Sequence, residues 1–130
     1  MIAMPSVPSV LTPADRKVIP DQQTASLHRE QAFAGDDRWV GFIETDPGQW
    51  SAWHHHGEHD TYFYVLEGHL QIEFEDDGGL RTAECGPGDF VHVPSQGIHR
   101  ERTASGPPGK AVLVRIGRGP TVVNVDGPGA

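Results

Sequence analysis

One cysteine, Cys85, occurs among the 130 residues, so no intrachain disulfide can form. A lone thiol fits a reducing compartment such as the cytosol, and its setting among strand residues gives it a packing role rather than that of a nucleophile. Basic residues are also few: ten Lys plus Arg stand against eighteen Asp plus Glu, a formal charge of −8. An acidic surface repels phosphate backbones and anionic lipid, so neither nucleic acid nor membrane is an expected partner, and solubility is the ordinary meaning of the charge. Long apolar runs are missing, and nothing approaches the length of a membrane span. No charged segment followed by an apolar one opens the chain in the manner of a secretory signal, and a cytoplasmic location is expected. Sustained helical periodicity is missing as well.

Punctuation is abundant instead. Sixteen Gly and eleven Pro break up short apolar runs. At this length a single domain is expected, burying about two thirds of its unfolded surface. Residues 1–20, with Pro5, Pro8 and Pro13, read as a flexible arm, because proline lacks a backbone donor and fixes φ. Residues 21–125 read as one folded body and residues 126–130 as a frayed tail. Strands are predicted at Arg38–Glu44, Tyr62–Glu67, His69–Glu75, Leu80–Cys85, Asp89–Val93, Ala111–Ile116 and Thr121–Val125. The clearest is His69–Glu75, which alternates strictly and puts Leu70, Ile72 and Phe74 on one face. Asp76-Asp77-Gly78-Gly79 supplies a hairpin turn and Gly86-Pro87-Gly88 another. Many short strands at this spacing mean an all-β sandwich or a small antiparallel barrel.

Four of the eight histidines fall within nine residues, Trp53 to Thr61, just before a strand. Strand alternation points His54 and His56 one way and His55 the other. Two imidazoles side by side on a rigid strand are half of a first-row metal site. A solvated polar loop or an expression tag would also carry consecutive histidines, but a tag sits at a terminus, not between Trp53 and a strand.

Gly48-x5-His54-x-His56, ending at Gly68, is followed after a hairpin by Gly88-x5-Pro94-x4-His99. These segments resemble the paired motifs of the cupin superfamily over roughly residues 38 to 118. The resemblance implies an all-β, double-stranded antiparallel β-barrel of the jelly-roll type, with a metal between the motifs held by His54, His56 and His99. The family's usual glutamate falls at Thr61, whose hydroxyl is a poor ligand. Asp60 is one residue off that face, His59 is on it, and Glu101 lies two residues beyond His99 on the same strand face. The His-x-Glu pair His99-Arg100-Glu101 is similar to the arrangement in pirin-type cupins, which favours His54, His56, His99 and Glu101 as ligands, with His59 as an outer partner or fifth ligand. Glu101 also reads as a surface carboxylate paired with Arg100 or Arg102. The second motif has Gln96 where glycine is usual, so Gln96 can reach the pocket. His28 and His69 read as exposed, His92 as an interior packing residue, and Phe63 and Val65 as lining the cavity. Trp50 and Trp53 would wall the pocket or cover the barrel mouth.

Three imidazoles and a carboxylate suit one divalent iron, manganese, nickel, copper or zinc ion. Two mechanisms follow from the resemblance: a dioxygenase acting on a small enediol, flavonol or catechol-like compound, or a zinc-type isomerase or polyketide cyclase with Glu101, or else His59, as the base. A small-ligand-binding cupin without catalysis is the alternative of a different class. The resemblance also implies a homodimer formed back to back through Leu27–Phe33 and the last two strands.

Overall fold

The computed structural model describes residues 6–129. Their strands are β1 (Leu27–Gly35), β2 (Arg38–Thr45), β3 (His54–His55), β4 (Asp60–Glu67), β5 (Leu70–Asp76), β6 (Gly79–Cys85), β7 (Phe90–Val93), β8 (His99–Thr103), β9 (Gly109–Ile116) and β10 (Val123–Asn124). They form two five-stranded sheets in the orders β1-β2-β9-β4-β7 and β10-β3-β8-β5-β6. All the strand pairs are antiparallel. This is the all-β jelly roll that the sequence predicts, built as two facing sheets rather than one closed ring.

Alternation decides what fills the space between the sheets. Along β4, Thr61, Phe63 and Val65 are buried while Tyr62, Tyr64 and Leu66 face out. Along β9, Gly109, Ala111, Leu113 and Arg115 are buried. Leu70 and Ile72 of β5 meet them from the second sheet, with Phe74 packed partly buried at the edge. Trp39 of β2 folds its ring over Gly41, where an added Cβ would lie 2.3 Å from a ring carbon. Only glycine leaves the indole that room, and the indole Nε1 donates to Gln31 Oε1 at 2.8 Å. Cys85 is buried in this core. Burial, with the Glu101 and Asp89 charges, pushes its thiol up to about 11, away from thiolate reactivity.

Part of the segment read as an arm is laid along β1. Lys17 and Gln31 exchange two backbone hydrogen bonds of 2.9 and 2.7 Å, and the Arg16 guanidinium stacks 4.3 Å over the Phe42 ring. Short 3-10 turns at Pro13–Asp15 and Pro20–Gln22 shape this stretch. Residues 1–5 of the arm and residue 130 of the tail lie outside the described residues. β1 itself pairs with β2 of the same chain, from Leu27 opposite Thr45 to Gly35 opposite Arg38. Among the described residues no helix is long and apolar enough to cross a membrane.

Candidate metal centre

β3 is only two residues long, and it places His54 directly opposite His99 of β8. His56 follows one residue after β3, just before Gly57, which takes a φ of +59°. Position 57 favours glycine doubly, because a Cβ there would lie 2.7 Å from the Pro120 carbonyl oxygen. His54, His56 and His99 are buried, with ring centroids 4.3 to 5.2 Å apart, and one ligand atom from each lies within 4.8 Å of the others. His55 faces away, half-buried, and its Nδ1 accepts from Gly57 N at 3.0 Å.

The tautomers follow from the backbone. His54 Nδ1 donates to Ala52 O (2.9 Å), His56 Nδ1 to Thr121 O (3.0 Å) and His99 Nδ1 to Gly97 O (2.9 Å). A carbonyl can only accept, so each Nδ1 carries the proton and each Nε2 offers a lone pair. Burial lowers all three imidazoles and favours this neutral form. His99 falls to about 4, and His56 is depressed further by the charges of Arg115, His99 and His54. His54 Nε2 has no hydrogen-bond partner. Glu101 brings a carboxylate beside it: Oε1 lies 3.6 Å from His54 Nε2 and 3.8 Å from His99 Nε2. Burial alone would raise Glu101, but the His54 and His99 rings and Arg29 outweigh it and hold the carboxyl at about 2. Ser51 fixes this part of β8 by donating its N–H to Glu101 O and accepting the Glu101 N–H at its hydroxyl. Nitrogen lone pairs and a carboxylate gathered in a buried space fit a divalent cation by the chemistry of the donors.

The other candidates divide. His59 is buried, but its Nδ1 donates to His56 O at 3.0 Å, and it stands outside the three-imidazole group. Asp60 accepts from His92 Nε2 at 2.9 Å on the outer face, where His92 also stacks on Tyr62. His92 is therefore not an interior residue; Val91 and Val93 turn inward on its strand, and the intervening ring must face out. Thr61 is buried with its hydroxyl unpartnered. Trp50 and Trp53 do not wall the cavity that reaches His99. Alternation on β8 sends Arg100 and Arg102 outward, and the indoles stack on those guanidiniums at 4.4 to 4.8 Å. Those same arginines pair with Glu73 and Gln71 rather than with Glu101. Gln96 is exposed, with a φ of +58°, and turns away from the interior.

A cavity of about 460 Å³ reaches His99 between Ile72, Phe74, Val91, Val93 and Ile98. Its wall is apolar, but Phe63 and Val65 are core residues rather than part of it. A larger groove of about 780 Å³ runs along β1 and holds none of the three imidazoles. Sequence reasoning passed over two interior residues, Arg29 and Arg115, although both share the parity of buried neighbours, Leu27 in one case and Ala111 and Leu113 in the other.

The architecture recurs in solved structures. The polyketide cyclase RemF from Streptomyces resistomycificus superposes with a TM-score of 0.71 at 23% identity, covering 92% of this chain and 86% of that one. An uncharacterized conserved protein with a double-stranded beta-helix domain from Klebsiella pneumoniae gives a TM-score of 0.66 at 16% identity, with coverage of 79% and 87%. Oxalate decarboxylase from Bacillus subtilis gives 0.67 at 17% identity over 80% of this chain and 29% of its own. The uncharacterized protein YdbB of Bacillus subtilis (strain 168) is 41% identical over 51 residues, which is 39% of this chain and 42% of YdbB. The matched stretch thus spans less than half of that relative. The family model described as Cupin domain matches residues 41–115, more than half of the chain and both histidine motifs, and the chain belongs to the cupin family.

Proposed function

We propose that this cupin is a metal-dependent enzyme of small-molecule metabolism, with His54, His56, His99 and Glu101 holding one divalent transition metal. The observation that carries the reading is the set of three Nδ1–H groups pinned on backbone carbonyls, which leaves three Nε2 lone pairs for one ion. Such an ion, whether iron, manganese, nickel, copper or zinc, would supply Lewis acidity and, if redox-active, electron exchange with dioxygen. The chain does the rest: the apolar cavity at His99 receives a small organic molecule and keeps water away from it. A mixed nitrogen and oxygen donor set favours oxygen-rich compounds, and the first reading is a dioxygenase for an enediol, flavonol or catechol-like substrate.

A second reading is favoured by the position of Glu101. Its carboxylate stands beside two imidazoles but outside the tight three-histidine group, where it can serve as a proton-transfer base in a redox-neutral cyclisation or isomerisation. The likeness to RemF, described as a polyketide cyclase, supports this alternative.

Elemental analysis of untagged protein purified without added metal should find one equivalent. Glu101→Gln should weaken metal binding by roughly tenfold or more, while Asp60→Asn changes nothing, because Asp60 is engaged with His92 outside. If Glu101→Gln keeps full occupancy yet loses oxygen uptake or isomerisation, Glu101 is the base and the second reading stands. A folded protein with less than stoichiometric metal after reconstitution defeats both.

The same reading includes a homodimer. Tyr62, Tyr64, Phe90, Val112 and Ile116 leave an exposed apolar row on the outer face of the first sheet, and a second copy would cover it. Sedimentation of the intact protein is expected to report twice the chain mass; a monomer at micromolar concentration would remove this part.

A further inference from the structure

Two arginines inside the fold stand outside the three-histidine group. Arg29 of β1 and Arg115 of β9 are each 1% exposed. Arg29 is anchored by Nη1, which donates to Gln22 O at 2.9 Å and to Thr24 Oγ1 at 2.8 Å. Its Nε and Nη2 have no partner. That pair forms the edge of a guanidinium that receives a carboxylate side-on through two parallel hydrogen bonds. Arg115 lies 4.6 Å over the Trp39 ring and leaves Nε and Nη1 without partners. Thr61, directly across from Arg115 on β4, leaves its hydroxyl unpartnered too.

Charge makes these orphans informative. Among the described residues neither arginine forms an ion pair, and Glu101 is the one buried carboxylate against two buried guanidiniums. Burial lowers both arginines, Arg29 to about 10 and Arg115 well below its ordinary range, yet a guanidinium holds its proton at neutral pH. An unmatched buried cation is costly. Ordered water can satisfy the spare N–H groups, but it cannot balance the charge. Strand alternation turns both inward, Arg29 with Leu27 on β1 and Arg115 with Ala111 and Leu113 on β9, and Arg29 also borders the groove of about 780 Å³ along β1.

We propose that Arg29 and Arg115 form an anion-receiving wall between the two sheets, and that the molecule taken there is a small organic carboxylate whose other oxygens face the imidazoles. This deepens the proposed function and rests on it for the imidazole end alone. The carboxylate end stands on the two guanidiniums. A carboxylate matches the planar edge of Arg29 with one charge, which is the imbalance the interior carries. Phosphate or sulfate would bring more oxygens and more charge than the one free edge of Arg29 and the separate N–H groups of Arg115 serve.

The test uses the full chain stripped of metal, so that the imidazole end contributes little. Its melting temperature is followed with pyruvate against pyruvamide and with salicylate against salicylamide, all at one ionic strength set with sodium chloride. At least one carboxylate should raise the melting temperature saturably, and its neutral amide should not. Arg29→Gln and Arg115→Gln should each weaken that response by roughly tenfold or more, the worth of charged hydrogen bonds. Should either variant fail to fold, Arg29→Lys and Arg115→Lys keep the charge without the fork, and the same weakening is expected. The proposal is overturned if neither carboxylate exceeds sodium chloride, if the amides act equally, if sulfate or phosphate acts more strongly, or if the arginine variants respond as the parent does. Carboxylate binding by a protein that takes up no metal would leave this inference standing and remove the proposed function. Stoichiometric metal without carboxylate binding would do the reverse.

Discussion

Alanine at His54, His56 or His99 is expected to abolish stoichiometric metal binding, whereas His55→Ala keeps it. The contrast follows from one residue of register. His54 and His99 face each other across β3 and β8 with ring centroids 4.3 Å apart, and His56 closes the triangle. His55, between two of them in sequence, spends its Nδ1 on the Gly57 N–H instead. Metal bound to the folded state alone stabilises by about 2.7 kcal/mol at a hundredfold excess over Kd, on the order of ten degrees in a domain of this size. The three interior variants should lose that increment. His55→Ala should lose only its turn hydrogen bond, about 1 kcal/mol. Metal content by elemental analysis, with melting curves at fixed metal concentration, reads both effects. Equal loss of metal from His55→Ala and His56→Ala would show that the strand register is wrong.

That register was legible in the sequence because alternation is a local property. His69–Glu75 announced its buried face through Leu70, Ile72 and Phe74, and the glycine turns marked where strands ended. The same rule also placed Arg115 inside, two residues after Leu113 and four after Ala111, but a lone arginine in a strand reads as surface by default. Its burial depends on what stands across from it, the Trp39 ring and Thr61, and both arrive from other strands. The tryptophans failed to line the pocket for a related reason. Trp50 and Trp53 are near the histidines in sequence, yet the cations that hold them, Arg100 and Arg102, come from a strand some fifty residues later. His92 was misplaced because a four-residue strand offers too short a pattern to fix parity without its partner on β4. The docking of Arg16 and Lys17 along β1 is likewise tertiary; proline content describes only the local chain.

Metal-free protein should lose stability steeply as the pH falls from about 6.5 toward 4, through the interior imidazoles. The sign is fixed by where protons bind. His99 stands at about 4 in the folded chain against 6.5 when unfolded, so between those values the unfolded chain binds a proton that the folded chain refuses. Unfolding therefore gains from each step toward acid, and below about 4 the contribution levels off. His54 and His56 are lowered for the same reason, burial of the charged form, and add in the same direction. Glu101 continues the trend at lower pH. It is held at about 2 against 4.5, so acid takes its contribution away across that second window. For His99 alone the loss is about 3 kcal/mol, a large share of the roughly 5–15 kcal/mol that stabilises a typical domain. Urea unfolding at several pH values, after exhaustive chelation, measures it. His99→Asn should flatten the slope between pH 6.5 and 4. A metal-free protein equally stable at both ends of that range would mean that the three rings are not held neutral inside the fold, and the pinned Nδ1–H groups on which the metal centre rests would have to be abandoned.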